Sequence, residues 1–328
     1  ETFSLIKKIN KRKLLFFSGG MDSVLLAFLL LDNKDDFIPV FLKPDPMYAE
    51  AYKDYERMKL VADSIGIKVK EINVTLDYNN TNFITFLNEN MIFDRHFSIL
   101  HFKGIEKIVN SYGNDILFIN GQGADSVLSF GPSQQNIGDF LKRVLLYYPN
   151  SLLSNFVRYL FQLKSDVKYI RNYNLNDYFL AFLDEQRYIF SLKKEGVIKN
   201  YKYISRKLIP QLKLFYNIES MMMYLKIHSF IQGSDNQIVI KTGVAHNVEG
   251  VILPYMTPGF IYNTIKFKNY DREIIKPKYV ISDILRNYFR FNYPSRYSTS
   301  KSDNKGFIKL GTIENEIAST FYSLISHN

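Results

Sequence analysis

The amino-acid sequence predicts an α/β fold: a parallel sheet with helices on both faces over residues 1–135, followed by a mainly α-helical region over 136–328. Three observations lead there. Apolar runs of strand length alternate with helix-length segments through about residue 125. A glycine turn joins the first such strand directly to the next helix. Beyond Gly138 the chain reads as one apolar or aromatic helix after another. Strands separated by helices need crossover connections, and crossovers give parallel sheets buried on both faces.

The elements follow in chain order. "KLLFF" (13–17) is a strand, and "DSVLLAFLLLD" (22–32), with helix length and little alternation, is a helix. "FIPVFL" (37–42) is the next strand. The segment 49–66 carries Tyr52, Tyr55, Met58, Leu60, Val61 and Ile65 at roughly helical spacing and stops at Gly66. "KVKEINV" (68–74) alternates as a strand, 102–113 is a helix closed by glycine, and "DILFING" (115–121) is a further buried strand. Later helices are expected at 140–148, 151–163, 178–192, 205–216 and 219–231, with Met221, Met222 and Met223 as core filler in the last.

Composition narrows the function classes. Leu14 to Leu31 follows the basic run "KKINKRK", yet Ser18, Asp22 and Ser23 interrupt it. A signal peptide needs roughly 7–15 uninterrupted apolar residues and a spanning helix about 20, so neither leader nor membrane anchor is expected. The absence of cysteine excludes disulfides, cysteine nucleophiles and persulfide carriers within these 328 residues, and a cytoplasmic location is expected. The net charge of +10 admits a polyanionic partner, but Lys, Ile, Asn and Tyr are all abundant, so a dedicated nucleic-acid surface is not expected. Basic residues do crowd one stretch, 11 Lys and Arg against 4 acids between Ile261 and Leu310, which suits an anionic ligand near the C-terminal segment.

The chemistry centres on "SGGMDS", residues 18–23. In open parallel sheets ligands bind beyond the carboxyl ends of the strands, and a helix N-terminus offers free N–H groups and a positive dipole end. Gly19 and Gly20 let an anion approach, and Ser18 and Ser23 add hydroxyls. Asp22 repels a phosphate unless a cation lies between them, which points to Mg²⁺. No Walker pattern occurs in the chain.

With the strand before it and the helix after it, S-G-G-x-D-S resembles the pyrophosphate loop of the N-type ATP pyrophosphatases, whose members cut ATP between the α and β phosphates to adenylate a substrate. "ILFINGQGADSVLSFG" (116–131) resembles the S-G-E-G-A-D-E segment of the asparagine synthetase C-terminal domain, as found also in β-lactam synthetases. "GVAHNVEGVILPYMTPGFI" and the segment from Lys278 to Phe307 are looser likenesses to later motifs of that branch.

The resemblance implies a Rossmann-like fold of the HUP type and an AMP-forming ligase using ATP and Mg²⁺. The metal would be held by Asp22 and Asp125, the nucleotide contacted by Gly121 and flanked by Phe16 and Leu42, and Lys305 would reach the phosphates. The implied partners are a small-molecule or peptide carboxylate and an amine, joined as an amide or lactam. Gln122 replaces the glutamate or tyrosine of those synthetases and cannot act as a general base. Glu249, with His246 beside it, is the candidate replacement. The glutaminase domain of asparagine synthetases has no counterpart here, so nitrogen would come from the substrate's own amine, free ammonia or a separate subunit. A tRNA-modifying adenylating enzyme and a non-catalytic nucleotide-binding protein are the alternatives. The five histidines show no zinc-ligand spacing.

Overall fold

The computed structural model describes residues 2–44, 49–77, 79–90, 95–128, 237–265 and 278–294, with positions 152 and 227 isolated between them. In order these form α1 (Thr2–Lys8), β1 (Arg12–Phe16), α2 (Met21–Asp32), β2 (Ile38–Pro44), α3 (Ala49–Ile65), β3 (Lys70–Val74), α4 (Thr81–Asn90), α5 (Arg95–Tyr112), β4 (Ile116–Ile119) and α6 (Ala124–Leu128). They continue with α7 (Ile238–Ala245), β5 (Gly250–Ile252), a 3-10 turn (Pro254–Met256), α8 (Pro258–Ile265) and α9 (Tyr279–Asn287). The helices expected between 140 and 231 and the methionine triplet lie outside the described residues.

All five strands pair in parallel, in the order β3-β2-β1-β4-β5, which is the Rossmann-like arrangement expected. Chain direction across the sheet reverses at β1: successive strands step outward through β2 and β3, then return to its other side as β4. The topological switch point therefore lies between β1 and β4.

Period-two alternation sorts the side chains between two faces. Leu14, Phe16, Val40, Leu42, Ile72, Val74, Ile116 and Phe118 form one core with Phe83, Phe86 and Leu87 of α4, Ile99, Phe102, Ile105 and Ile108 of α5, and Ile238 and Val239 of α7. Leu15, Phe17 and Phe41 are buried on the opposite face, which α2 and α3 cover with Val24, Leu26, Met58 and Val61. A fully buried Leu, Ile or Phe contributes about 1.5–3 kcal/mol, so even the four-residue β4, buried at every position, is held firmly.

Several boundaries differ from the sequence reading. The helix expected at 102–113 begins at Arg95, and the strand expected at 37–42 runs from Ile38 to Pro44. Neither α4 nor β5 was legible. β5 has only three residues and owes its conformation to β4, with flanking bonds from Asn120 N–H to the Ile252 carbonyl and from Glu249 N–H to the Asn114 carbonyl, both 3.0 Å.

The chain divides into two compact units. The sheet and its layers belong to the described residues of Lys7–Asn120, Ile238–Ile252 and Phe289–Asn328. The other unit draws on Glu1–Ile6, Gly121–Gln237 and Leu253–Tyr288. In it α6 packs with the 3-10 turn and α8, Tyr255 is buried edge-on to Phe260 at 5.3 Å, and Ile281 and Leu285 of α9 are buried.

Candidate nucleotide site

The SGGMDS segment lies at the carboxyl end of β1, beside the switch point, and opens α2. Phe17 still belongs to the sheet in effect, its N–H donating to the Val40 carbonyl at 2.9 Å. The chain then turns at Gly19, whose φ of 68° is left-handed. A Cβ there would stand 2.7 Å from the Met58 Cα and 3.2 Å from the Arg57 carbonyl oxygen. Gly19 is thus demanded twice, by its own backbone and by the backbone of α3 pressed against it. Gly20 is extended and serves as N-cap of α2 with no side-chain cap.

The hydroxyls of the loop bond within it. Ser23, 4% exposed, donates to the Gly20 carbonyl at 2.9 Å, and the Ser18 and Ser23 hydroxyls are 3.3 Å apart. The Gly20 N–H leans toward the Ser18 Oγ at 3.3 Å. Asp22 stands in the first turn of α2 with one carboxylate oxygen buried. The residues of the loop thus present backbone N–H groups, hydroxyls and a carboxylate at one strand end, a set that suits a phosphate with a divalent cation.

Two side chains grip the loop from behind. Arg57 of α3, nine-tenths buried, reaches Asp54 at 2.9 Å and directs Nη2 at the Ser18 carbonyl, 3.5 Å away. Tyr293 donates its hydroxyl to the Gly19 carbonyl at 2.8 Å. The segment carrying Tyr293 is seated on α2, where Phe28 stacks on Phe289 at 4.9 Å and meets Phe291 at 5.3 Å. The sequence reading missed both residues, since no spacing rule links positions 57 and 293 to 18 and 19.

Phe16 and Leu42 stand at the same end of the sheet, Leu42 two residues beyond the Phe16–Val40 pair and so level with Ser18. Both are buried in the core. Phe16 stacks on Phe118 at 5.0 Å, and Leu42 fills the space over Gly104, where a Cβ would meet its Cδ2 at 2.6 Å.

Glu249 is not brought to the loop. It precedes β5, level with Arg12 by the strand register, and its carboxylate faces Lys11 at 3.5 Å beside the Lys11–Asp115 pair. Ser18 is six residues further along the strand direction, roughly 20 Å at 3.3 Å per residue. The candidate base is therefore a half-exposed ion-pair partner at the amino-terminal edge. His246 packs on Phe102, ring centroids 4.7 Å apart, and burial pushes its pKa down, Glu106 opposing and Lys103 assisting.

Gly121 lies two residues beyond the end of β4, its carbonyl accepting from Ala124 N–H at 3.4 Å. Gln122 has a buried side-chain carbonyl oxygen, and Asp125 falls within α6. Lys305 lies outside the described residues. Among the described residues, no helix is long and apolar enough to cross a membrane.

No protein-family model matches the chain. Curated proteins do. The chain is similar to the tRNA-specific 2-thiouridylase MnmA of Lactobacillus gasseri, 43% identical over 77 residues, 22% of this chain and 20% of that protein. The MnmA proteins of Polaromonas sp. (33% over 89 residues, 25% and 22%) and Lactobacillus helveticus (37% over 90, 26% and 24%) are further relatives. The match spans about a fifth to a quarter of their length. This is partial, distant similarity to enzymes of the PP-loop adenine-nucleotide α-hydrolase superfamily, and the asparagine synthetase branch does not appear among these relatives.

Proposed function

We propose that this protein is an ATP-dependent, AMP-forming adenylating enzyme of the PP-loop kind. The observation that carries the reading is the SGGMDS loop, opening α2 at the carboxyl end of β1 beside the switch point. An acceptor oxygen attacks the α-phosphorus, the bond to the β-phosphate breaks, and pyrophosphate leaves into the loop. Developing negative charge there meets N–H groups already oriented by the fold, which is where such donors lower a barrier most. The activated acceptor carbon then takes a nucleophile, and AMP departs with the original oxygen.

Mg²⁺ fits this loop, since it is bound through one or two carboxylates together with phosphate oxygens rather than by a protein cage. Asp22 would hold it, and the sequence resemblance assigns Asp125 to the same ion. Bound there, Mg²⁺ would neutralise charge on the leaving pyrophosphate. Lys305 is the further phosphate cation we propose. Tyr293, only twelve residues earlier, is seated on the loop, which supports that role.

For the acceptor, the relatives favour the carbonyl oxygen of an RNA base, because their names make them tRNA-specific. No thiol in these 328 residues can carry a displacing sulfur, so the nucleophile arrives from elsewhere. A second reading, adenylation of a carboxylate followed by amide formation, rests on the "GQGADS" segment. Neither needs Gln122 as a base for adenylation. The test is a product assay with ATP, Mg²⁺ and either bulk tRNA or a pool of carboxylic acids with amines. AMP and pyrophosphate with tRNA are expected; AMP only with acids moves the acceptor to the second reading, and ADP as main product sinks the proposal.

A further inference from the structure

We infer that Tyr293 and Arg57 are positioning residues that aim the N–H groups of the glycine loop at the pyrophosphate, an inference that rests on the pyrophosphate-loop reading above. A trans peptide is planar, with its C=O and N–H pointing in opposite directions. Fixing a carbonyl therefore fixes the N–H of the next residue. The two consecutive carbonyls of this loop are held by side chains from separate parts of the chain: Ser18 by Arg57 Nη2 at 3.5 Å and Gly19 by the Tyr293 hydroxyl at 2.8 Å. The Gly19 N–H is accordingly turned away from Arg57, and the Gly20 N–H is turned away from the Tyr293 hydroxyl and toward the Ser18 Oγ, 3.3 Å away.

Glycines are the residues least able to hold such an orientation alone. Gly19 and Gly20 have no side chain to anchor them, and the Ser18 hydroxyl that accepts from the Gly20 N–H at 3.3 Å belongs to the loop itself. The external grips compensate. Tyr293 is itself fixed by its neighbours, since Phe289 and Phe291 pack on Phe28 of the helix that the loop opens. Arg57 is nine-tenths buried and ion-paired with Asp54 at 2.9 Å. Its backbone is fixed as well, because α3 touches the loop at Met58.

The decisive variant is Tyr293→Phe, which removes one oxygen, leaves the ring, and changes no charge. Inorganic pyrophosphate and Mg-ATP should bind roughly three- to tenfold more weakly, the effect of one hydrogen bond. AMP, which lacks the β and γ phosphates, should bind as to wild type, the melting temperature should hold, and the loss should be independent of salt. A general structural role would lower AMP and ATP affinity together and move the melting temperature. Arg57→Met probes the other carbonyl and should show the same selectivity for pyrophosphate over AMP. Calorimetry finding pyrophosphate affinity unchanged in both variants, or AMP weakened equally with ATP, overturns the inference while leaving the pyrophosphate-loop reading in place. Wild-type protein that binds neither pyrophosphate nor Mg-ATP overturns that reading and the inference with it.

Discussion

The two ends of the one parallel sheet are built on opposite principles. At the amino-terminal edge, charge is matched to charge: Lys13 pairs with Asp35 in the interior at 2.6 Å, Lys11 bridges Asp115 and Glu249, and Arg12 and Lys70 flank the Tyr112 ring at 5.1 and 4.8 Å. A cavity of about 340 Å³ opens there among Lys7, Asn10, Lys11, Arg12, Asp36 and Phe37. At the carboxyl edge Tyr293 and Arg57 instead reach backbone carbonyls of the glycine loop. The lesson is that the edge with the more matched charge is not the one that carries the glycine loop. Every parallel strand directs its C-terminal end to the same side, where helices begin with free N–H groups, which is why the anion site we propose lies at that edge.

The sharpest way to break this contrast is at Lys13. Its ammonium is 7% exposed and its partner carboxylate 3%, so Lys13→Met leaves a buried charge and should cost about 3–5 kcal/mol in denaturant unfolding. Adding Asp35→Leu should recover most of that loss, and the folded fraction should keep its nucleotide affinity.

Next is a matched pair across the sheet. Asp22→Asn should lower AMP formation by about a hundredfold or more, some 3 kcal/mol, with little change in melting temperature. Glu249→Gln, at the other edge, should leave turnover within about twofold, as half-exposed surface changes do. Equal losses in both would return Glu249 to the reaction.

Gly19→Ala should be folded but weakened by about 2–3 kcal/mol, from the left-handed backbone and the contact with α3. Gly250→Ala at the opposite edge should cost clearly less, because its Cβ would meet only the end of the Leu117 side chain, at 3.1 Å. Thermal melts of the two proteins compare them directly.

The smallest effect concerns pH. Burial lowers the folded-state pKa of His246 below 6.5, so as pH falls below that value the unfolded chain takes up a proton that the folded protein resists. Stability should be complete above about pH 6.5 and decline below it. His246→Phe should flatten the decline, measured as melting temperature against pH; an unchanged slope would place its origin elsewhere.

The sequence by itself determined the sheet's first four strands, α2, α3, the later part of α5 and the glycine loop, because strand period, helix length and turn chemistry are local properties. Lys13–Phe17 and Ile116–Ile119 are apolar runs that only a covered sheet can accommodate, and S-G-G-x-D-S names its own turn. Tertiary structure alone decided the rest. β5 is three residues that become a strand because β4 presents an open edge, and Glu249 is carried by that pairing to the end opposite the loop. "VEG" looked like a site because a resemblance supplied its role, whereas register determines its position, and register is set by pairing between segments more than a hundred residues apart. Arg57 and Tyr293 were illegible for the same reason: a helix face and a C-terminal segment meet the loop only after the sheet, α2 and α3 have packed, and no local pattern encodes which carbonyl a distant hydroxyl will hold.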